Sequence, residues 1–127
     1  MDKYRIMIVD DEEHFLKLLE LNLEMAGRYD VLALSSAIDI LGHVQAFKPD
    51  LIILDLLIGS TRGVDVCQKL NDDPVGKGIP VIIFSALDKD EDKLKVFKLG
   101  VVDFLTKPLE IDVLVSAIEK ALKSKRG

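Results

Sequence analysis

Short apolar runs alternate with longer amphipathic stretches along the whole chain. Ile6 to Val9, Leu51 to Leu54, Val81 to Phe84 and the weaker Val101 to Leu105 are each too short for a helix and rich in branched residues. None alternates with polar positions, so they predict strands buried on both faces, as in a parallel sheet. Tyr29 to Leu34 is a fifth candidate. Helix-length segments lie between the runs. Residues 12 to 26 carry Phe15, Leu18, Leu19 and Met25 on one stripe, with Gly27 as a stop. Ser36 and Asp39 resemble a capping box before Ile38, Leu41 and Val44. A shorter helix from Gly63 to Leu70 holds Val64, Cys67 and Leu70. Asp88 with Glu91 would cap a helix that carries Leu94 and Phe97 and ends at Gly100. The clearest stripe is the last: Ile111, Leu114, Val115, Ile118 and Leu122. Five β-α units predict an α/β fold, a parallel sheet with helices on both faces.

Composition narrows the function classes. The chain has 127 residues, 49% hydrophobic and 31% charged, which fits one domain over 1–127 with a core at about 5–122 and a flexible tail at 123–127. Seventeen Lys and Arg against 22 Asp and Glu give −5, which disfavours direct nucleic-acid binding by this domain. The single Cys67 excludes an intramolecular disulfide and a cysteine-rich zinc site. No apolar run approaches the roughly 18 residues of a membrane span, and the N-terminus lacks a signal peptide's long apolar region. The expectation is a cytoplasmic protein without membrane attachment.

Open α/β sheets bind ligands at the carboxyl ends of their strands, so the residues after each run matter most. Asp10, Asp11, Glu12 and Glu13 follow the first run, Asp55 ends the third, Ser85 follows the fourth, and Thr106, Lys107 and Pro108 follow the fifth. Taken singly, Asp10 and Asp11 could cap a helix, Ser85 a turn, and Lys107 could be a surface lysine. Asp55 is different, because an acid inside Leu51–Ile58 is costly to bury without a partner. Crowded carboxylates repel one another unless a cation joins them, and an all-oxygen cluster suits Mg²⁺. Asp10, Asp11, Ser85 and Lys107 then provide the metal ligands, hydrogen-bond donor and cation that phosphoryl transfer needs, and Asp55 remains as the acceptor.

With these residues in view, the sequence resembles a response-regulator receiver domain of two-component signalling, of the chemotaxis-regulator type. The resemblance runs from Ile6 to about Leu122. It rests on Ile-Val-Asp10-Asp11-Glu12, Ile-Ile-Leu-Asp55-Leu-Leu-Ile, Gly63, Ile-Ile-Phe-Ser85-Ala86 and Asp103-Phe-Leu-Thr-Lys107-Pro108. It implies a doubly wound, flavodoxin-like three-layer sandwich with strand order 2-1-3-4-5. It further implies that Asp55 accepts a phosphoryl group from a histidine kinase or phosphotransfer protein. Asp10, Asp11, Asp55 and the backbone carbonyl of Leu57 would hold Mg²⁺, and Ser85 and Lys107 would bind the phosphoryl oxygens. By the same resemblance the Lys107-Pro108 bond is cis, and Phe104 turns inward as Ser85 moves. The face of the fourth helix, fifth strand and fifth helix would then change, to control a downstream effector or an output domain outside this sequence. A weak homodimer through that face is a further expectation.

Three features depart from the family pattern. Gly59 stands where proline is frequent, and would loosen the loop carrying the Leu57 carbonyl. Arg62 replaces a frequent Asp or Asn, without an obvious chemical consequence. Leu57 and Leu87 occupy two variable positions near the acceptor and cannot orient water, which predicts slow self-dephosphorylation. Such a domain would catalyse only its own phosphorylation and dephosphorylation, so it is not a turnover enzyme. The alternatives are a Mg²⁺-dependent aspartyl-phosphate phosphohydrolase, a flavin carrier, or a pseudo-receiver that acts by contact alone. The first normally carries a second acid two residues after the nucleophile, where this chain has Leu57. Gly76-Lys77-Gly78 precedes a strand and fits no nucleotide-binding loop, and His14 and His43 lack ligand partners at helical spacing.

Overall fold

The apolar runs become the strands of a five-stranded parallel sheet, except that the last strand is shifted from Val101–Leu105 to Asp103–Thr106 and is half-buried rather than buried on both faces. The computed structural model describes residues 3–126, with side chains to 124. Strands β1 (Tyr4–Val9), β2 (Tyr29–Leu34), β3 (Leu51–Leu54), β6 (Val81–Ser85) and β7 (Asp103–Thr106) are ordered β2-β1-β3-β6-β7, with every neighbouring pair parallel. Counted within this sheet, that is the expected order 2-1-3-4-5. Alternate side chains enter two separate cores. Met7, Val9, Ile52, Leu54 and Ile83 pack on one face against α2 (Ile40–Phe47), α3 (Gly63–Asp72) and α4 (Asp90–Lys98). Ile6, Ile8, Leu51, Ile53 and Ile82 pack on the other against α1 (Glu13–Met25) and α5 (Ile111–Arg126). Each large side chain fully buried there stabilises the fold by about 1.5–3 kcal/mol.

The helices are where expectation and structure part. In α1 the sheet takes Leu16, Leu19 and Leu23, while Leu18 and Met25 stay exposed. A leucine-rich helix offers two apolar stripes, and periodicity alone does not choose between them. In α4 the buried residue is Val96, whereas Leu94 and Phe97 face outward. Val96 reaches the core that holds Val81 and Val101. Neither expected cap forms. The Ser36 hydroxyl accepts from Ile38 N–H in a local turn, and α2 starts after Asp39, whose φ is +56°. Lys89 precedes α4 without a side-chain cap. Helix α5 buries Leu114, Ile118 and Leu122 as expected. Its backbone continues through residues 123–126, placed in a tail by sequence; Gly127 lies outside the described residues.

A small hairpin interrupts the alternation. β4 (Leu57–Ile58) pairs antiparallel with β5 (Thr61–Arg62), with Ile58 opposite Thr61, so Gly59-Ser60 forms a two-residue loop. Gly59 has φ +62°, the conformation such loops require at their first position. The hairpin returns to its own base, where Gly63 N–H donates to Leu56 O at 2.7 Å. A Cβ at residue 63 would collide with the backbone of Asp55 and Leu56, so only glycine fits. At Gly59 the glycine closes a tight turn. Among the described residues, no helix is long and apolar enough to cross a membrane.

Candidate functional site

The carboxyl ends of β1, β3, β6 and β7 converge on one rim. Ladder bonds carry the backbone past the strand ends: Asp10 N–H donates to Leu34 O at 3.0 Å and Asp55 N–H to Val9 O at 3.1 Å. Both acids are drawn into the protein by this, and Asp10 is only 2% exposed and Asp55 8%. Each side chain then finds a local donor. Asp10 Oδ1 accepts from Glu12 N–H at 2.9 Å, and Asp55 Oδ1 from Leu57 N–H at 3.3 Å. Asp11 is exposed, and its Oδ2 accepts from Gly59 N–H at 2.8 Å. Asp10, Asp11 and Asp55 each offer a carboxylate oxygen, and these lie within 4.8 Å of one another.

One cation faces them. Lys107 Nζ donates to Asp10 Oδ2 at 2.8 Å, Glu12 Oε1 at 2.8 Å and Asp55 Oδ2 at 3.1 Å, which uses all three ammonium donors. The ammonium rests on an aromatic floor, 4.9 Å from the Phe15 ring centre and 5.5 Å from that of Phe84. Those two rings meet edge-on at 5.1 Å. The Lys107-Pro108 bond is cis, and Lys107 N–H donates to Ser85 O at 2.9 Å. Burial opposes the Lys107 charge, but the three carboxylates outweigh it and hold the ammonium above its usual range. For Asp10 the balance is reversed. Burial pushes its carboxyl above the ordinary value, and the hydrogen bond from Lys107 only partly offsets this. One ammonium thus serves three acids at once.

The remaining expected residues lie around this cluster. Ser85 is buried, two positions beyond the Leu54–Ile83 pair and opposite Thr106, and its Oγ accepts from Leu87 N–H at 3.2 Å. Leu57 begins the hairpin beside Asp55. Phe104 is half-buried on β7, with Lys93 Nζ 5.3 Å from its ring centre. Sequence reasoning missed Glu12 as a partner of Lys107, and Phe15 and Phe84 as its floor. The only hints were the position of Glu12 directly after the two aspartates and that of Phe84 directly before Ser85. His14 and His43 take no part, and Cys67 lies in the core, where burial pushes its thiol up to about 12.

This fold and this rim have known counterparts. The family model for the response regulator receiver domain matches residues 6–119. The chain belongs to that family. It is 39% identical over 122 residues to the DNA-binding dual master transcriptional regulator RpaA of Synechocystis, covering 94% of this chain and 49% of that protein. It is 37% identical over 117 residues to the alkaline phosphatase synthesis transcriptional regulatory protein PhoP of Bacillus subtilis, covering 90% and 48%. The chain therefore spans about half the length of these curated relatives. In fold it is similar to a CheY-like receiver domain protein from Methanospirillum hungatei, with TM-score 0.88, 22% identity and 98% of each chain covered. As a receiver domain of two-component response regulators, it has an acidic pocket where the family typically uses Mg²⁺.

Proposed function

We propose that this receiver accepts a phosphoryl group on Asp55 from a histidine kinase or phosphotransfer protein, in the cytoplasm and with Mg²⁺. The observation that carries the reading is the Lys107 ammonium held between Asp10 and Asp55 while three acids crowd one edge of the pocket. A partly buried cluster with that excess of negative charge suits a divalent cation, and the donor set is entirely hard oxygen. Asp10, Asp11, Asp55 and the Leu57 carbonyl would hold it, and it would neutralise charge on the transferring phosphoryl group.

The chain's own residues do the rest. An Asp55 carboxylate oxygen attacks phosphorus, the bond from phosphorus to the donor nitrogen breaks, and the imidazole keeps that electron pair. Lys107 moves its hydrogen bond from the Asp55 oxygen to a phosphoryl oxygen, a short step because it already touches the acceptor. Ser85 keeps its own hydroxyl proton to donate to a second phosphoryl oxygen. As Ser85 shifts, Phe104 leaves its place beside Lys93 and turns inward. The face of α4, β7 and α5, with Leu94, Phe97 and Val102 exposed, then changes shape for an effector, an output domain or a second copy. Leu57, two residues past the acceptor, and Leu87, two past Ser85, are 47% and 41% exposed and offer no group to orient water, so the acyl phosphate decays slowly and the chain turns over no external substrate.

Incubation with acetyl phosphate and Mg²⁺, followed by intact mass spectrometry, tests the assignment. One added phosphoryl group is expected in the wild type and none in Asp55→Asn. An unmodified wild type, or a variant that gains the same mass, refutes it. A phosphoryl half-life of seconds would refute slow decay alone.

A further inference from the structure

We infer that the backbone N–H of Gly59 positions the Asp11 carboxylate for the divalent cation, which makes Gly59 a positioning residue; this rests on the reading of the pocket proposed above. The three acids share one design. Asp10 accepts from the backbone N–H of Glu12, Asp55 from that of Leu57, and Asp11 from that of Gly59. Asp10 and Asp55 are also buried and bonded to Lys107. Asp11 is exposed, and among the described residues its side-chain hydrogen bond comes from Gly59, 48 positions away. Without that bond the Asp11 side chain would sample several rotamers and lose them on ligation, and holding it in place beforehand removes that cost. The bond engages Oδ2, and an Asp11 carboxylate oxygen lies within 4.8 Å of oxygens of Asp10 and Asp55.

The donor is itself well placed. The two-residue loop and the φ of +62° orient the Gly59 peptide, and the Ile58–Thr61 pair closes the turn. The base of the hairpin is seated on Asp55 and Leu56 by the close approach of Gly63. Asp11 is thereby tied to the backbone that carries the acceptor.

Mg²⁺ titrations followed by NMR on wild type, a variant with the Gly59 amide replaced by an ester, Asp11→Ala and the double variant test this directly. The ester removes the N–H while leaving the φ of +62° accessible, and Mg²⁺ affinity should fall about tenfold, the scale of losing an outer partner of a metal ligand. In the Asp11→Ala background the same change should have no further effect, whereas a merely structural role would weaken binding in both. Equal affinities, or equal losses in the two backgrounds, overturn the inference and leave the functional reading standing. No Mg²⁺ binding by the wild type overturns that reading and this inference with it. Amide exchange without added cation provides a check that needs no Gly59 variant to fold. The Gly59 amide should be protected in wild type and lose protection in Asp11→Ala; unchanged exchange counts against the bond.

Discussion

The two ends of the sheet treat charge in opposite ways. At the amino-terminal end Arg5 N–H donates to Asp50 Oδ2 at 2.8 Å, and its guanidinium donates to Phe47 O at 3.0 Å while lying over the Phe47 ring. Lys3 faces Asp30 at 3.9 Å, with both side chains about half exposed. Lys3, Arg5 and Asp30 are exposed and set against an opposite charge or a carbonyl, so they join chain segments at little cost. At the carboxyl end Asp10 and Asp55 are buried and, with the exposed Glu12, surround one ammonium, while Asp11 lies beside them. The first end resembles ordinary surface chemistry. The second gathers like charges beside one another, and that crowding separates the two rims.

The largest test of this contrast is Lys107→Met in metal-free buffer. Removing one partner of a buried pair strands its carboxylates, so urea unfolding should show a loss of about 3–5 kcal/mol. Arg5→Met, at the solvated end, should cost less than about 1 kcal/mol. Similar losses at both ends would erase the distinction. Next comes Mg²⁺ itself, which should stabilise the wild type by about 2.7 kcal/mol at a hundred times its Kd. A melting temperature indifferent to millimolar Mg²⁺ would show that the acidic end has no ligand of this kind.

A third test concerns protons. The carboxyl ¹³C signal of Asp10 should titrate with a midpoint above 3.8 in the metal-free protein. A raised acid contributes its stability in full below the unfolded value and loses it as pH climbs through the folded midpoint. Ionised Asp10 therefore burdens the fold near neutral pH, and a midpoint below 3.8 would reverse that sign. The smallest effect belongs to Glu12→Gln. Its side chain is 61% exposed and Lys107 keeps two other partners, so the loss should stay below about 1 kcal/mol. A cost matching that of Lys107→Met would place Glu12 among the buried acids.

Sequence made the strands and the rim readable for one shared reason. A parallel strand buried on both faces needs an unbroken apolar run, so its end is marked by the first polar residue. Asp10, Asp55, Ser85 and Lys107 are each found within two positions of such an end. The inward faces of α1 and α4 were not readable, because Leu16 and Leu18 are equally apolar and only the neighbouring sheet selects between them. Nor was the hairpin, since two residue pairs leave no periodic signal. The bonds from Lys107 to Glu12 and from Gly59 to Asp11 join residues 95 and 48 positions apart, and no local pattern encodes them.

The seating of Gly63 against Leu56 has a practical side. Because the chain leaves and re-enters at nearly the same point, residues 57–62 form a cassette whose two ends are already spliced together. Loops of other lengths could be grafted between those anchors at small entropic expense while the surrounding scaffold is left intact.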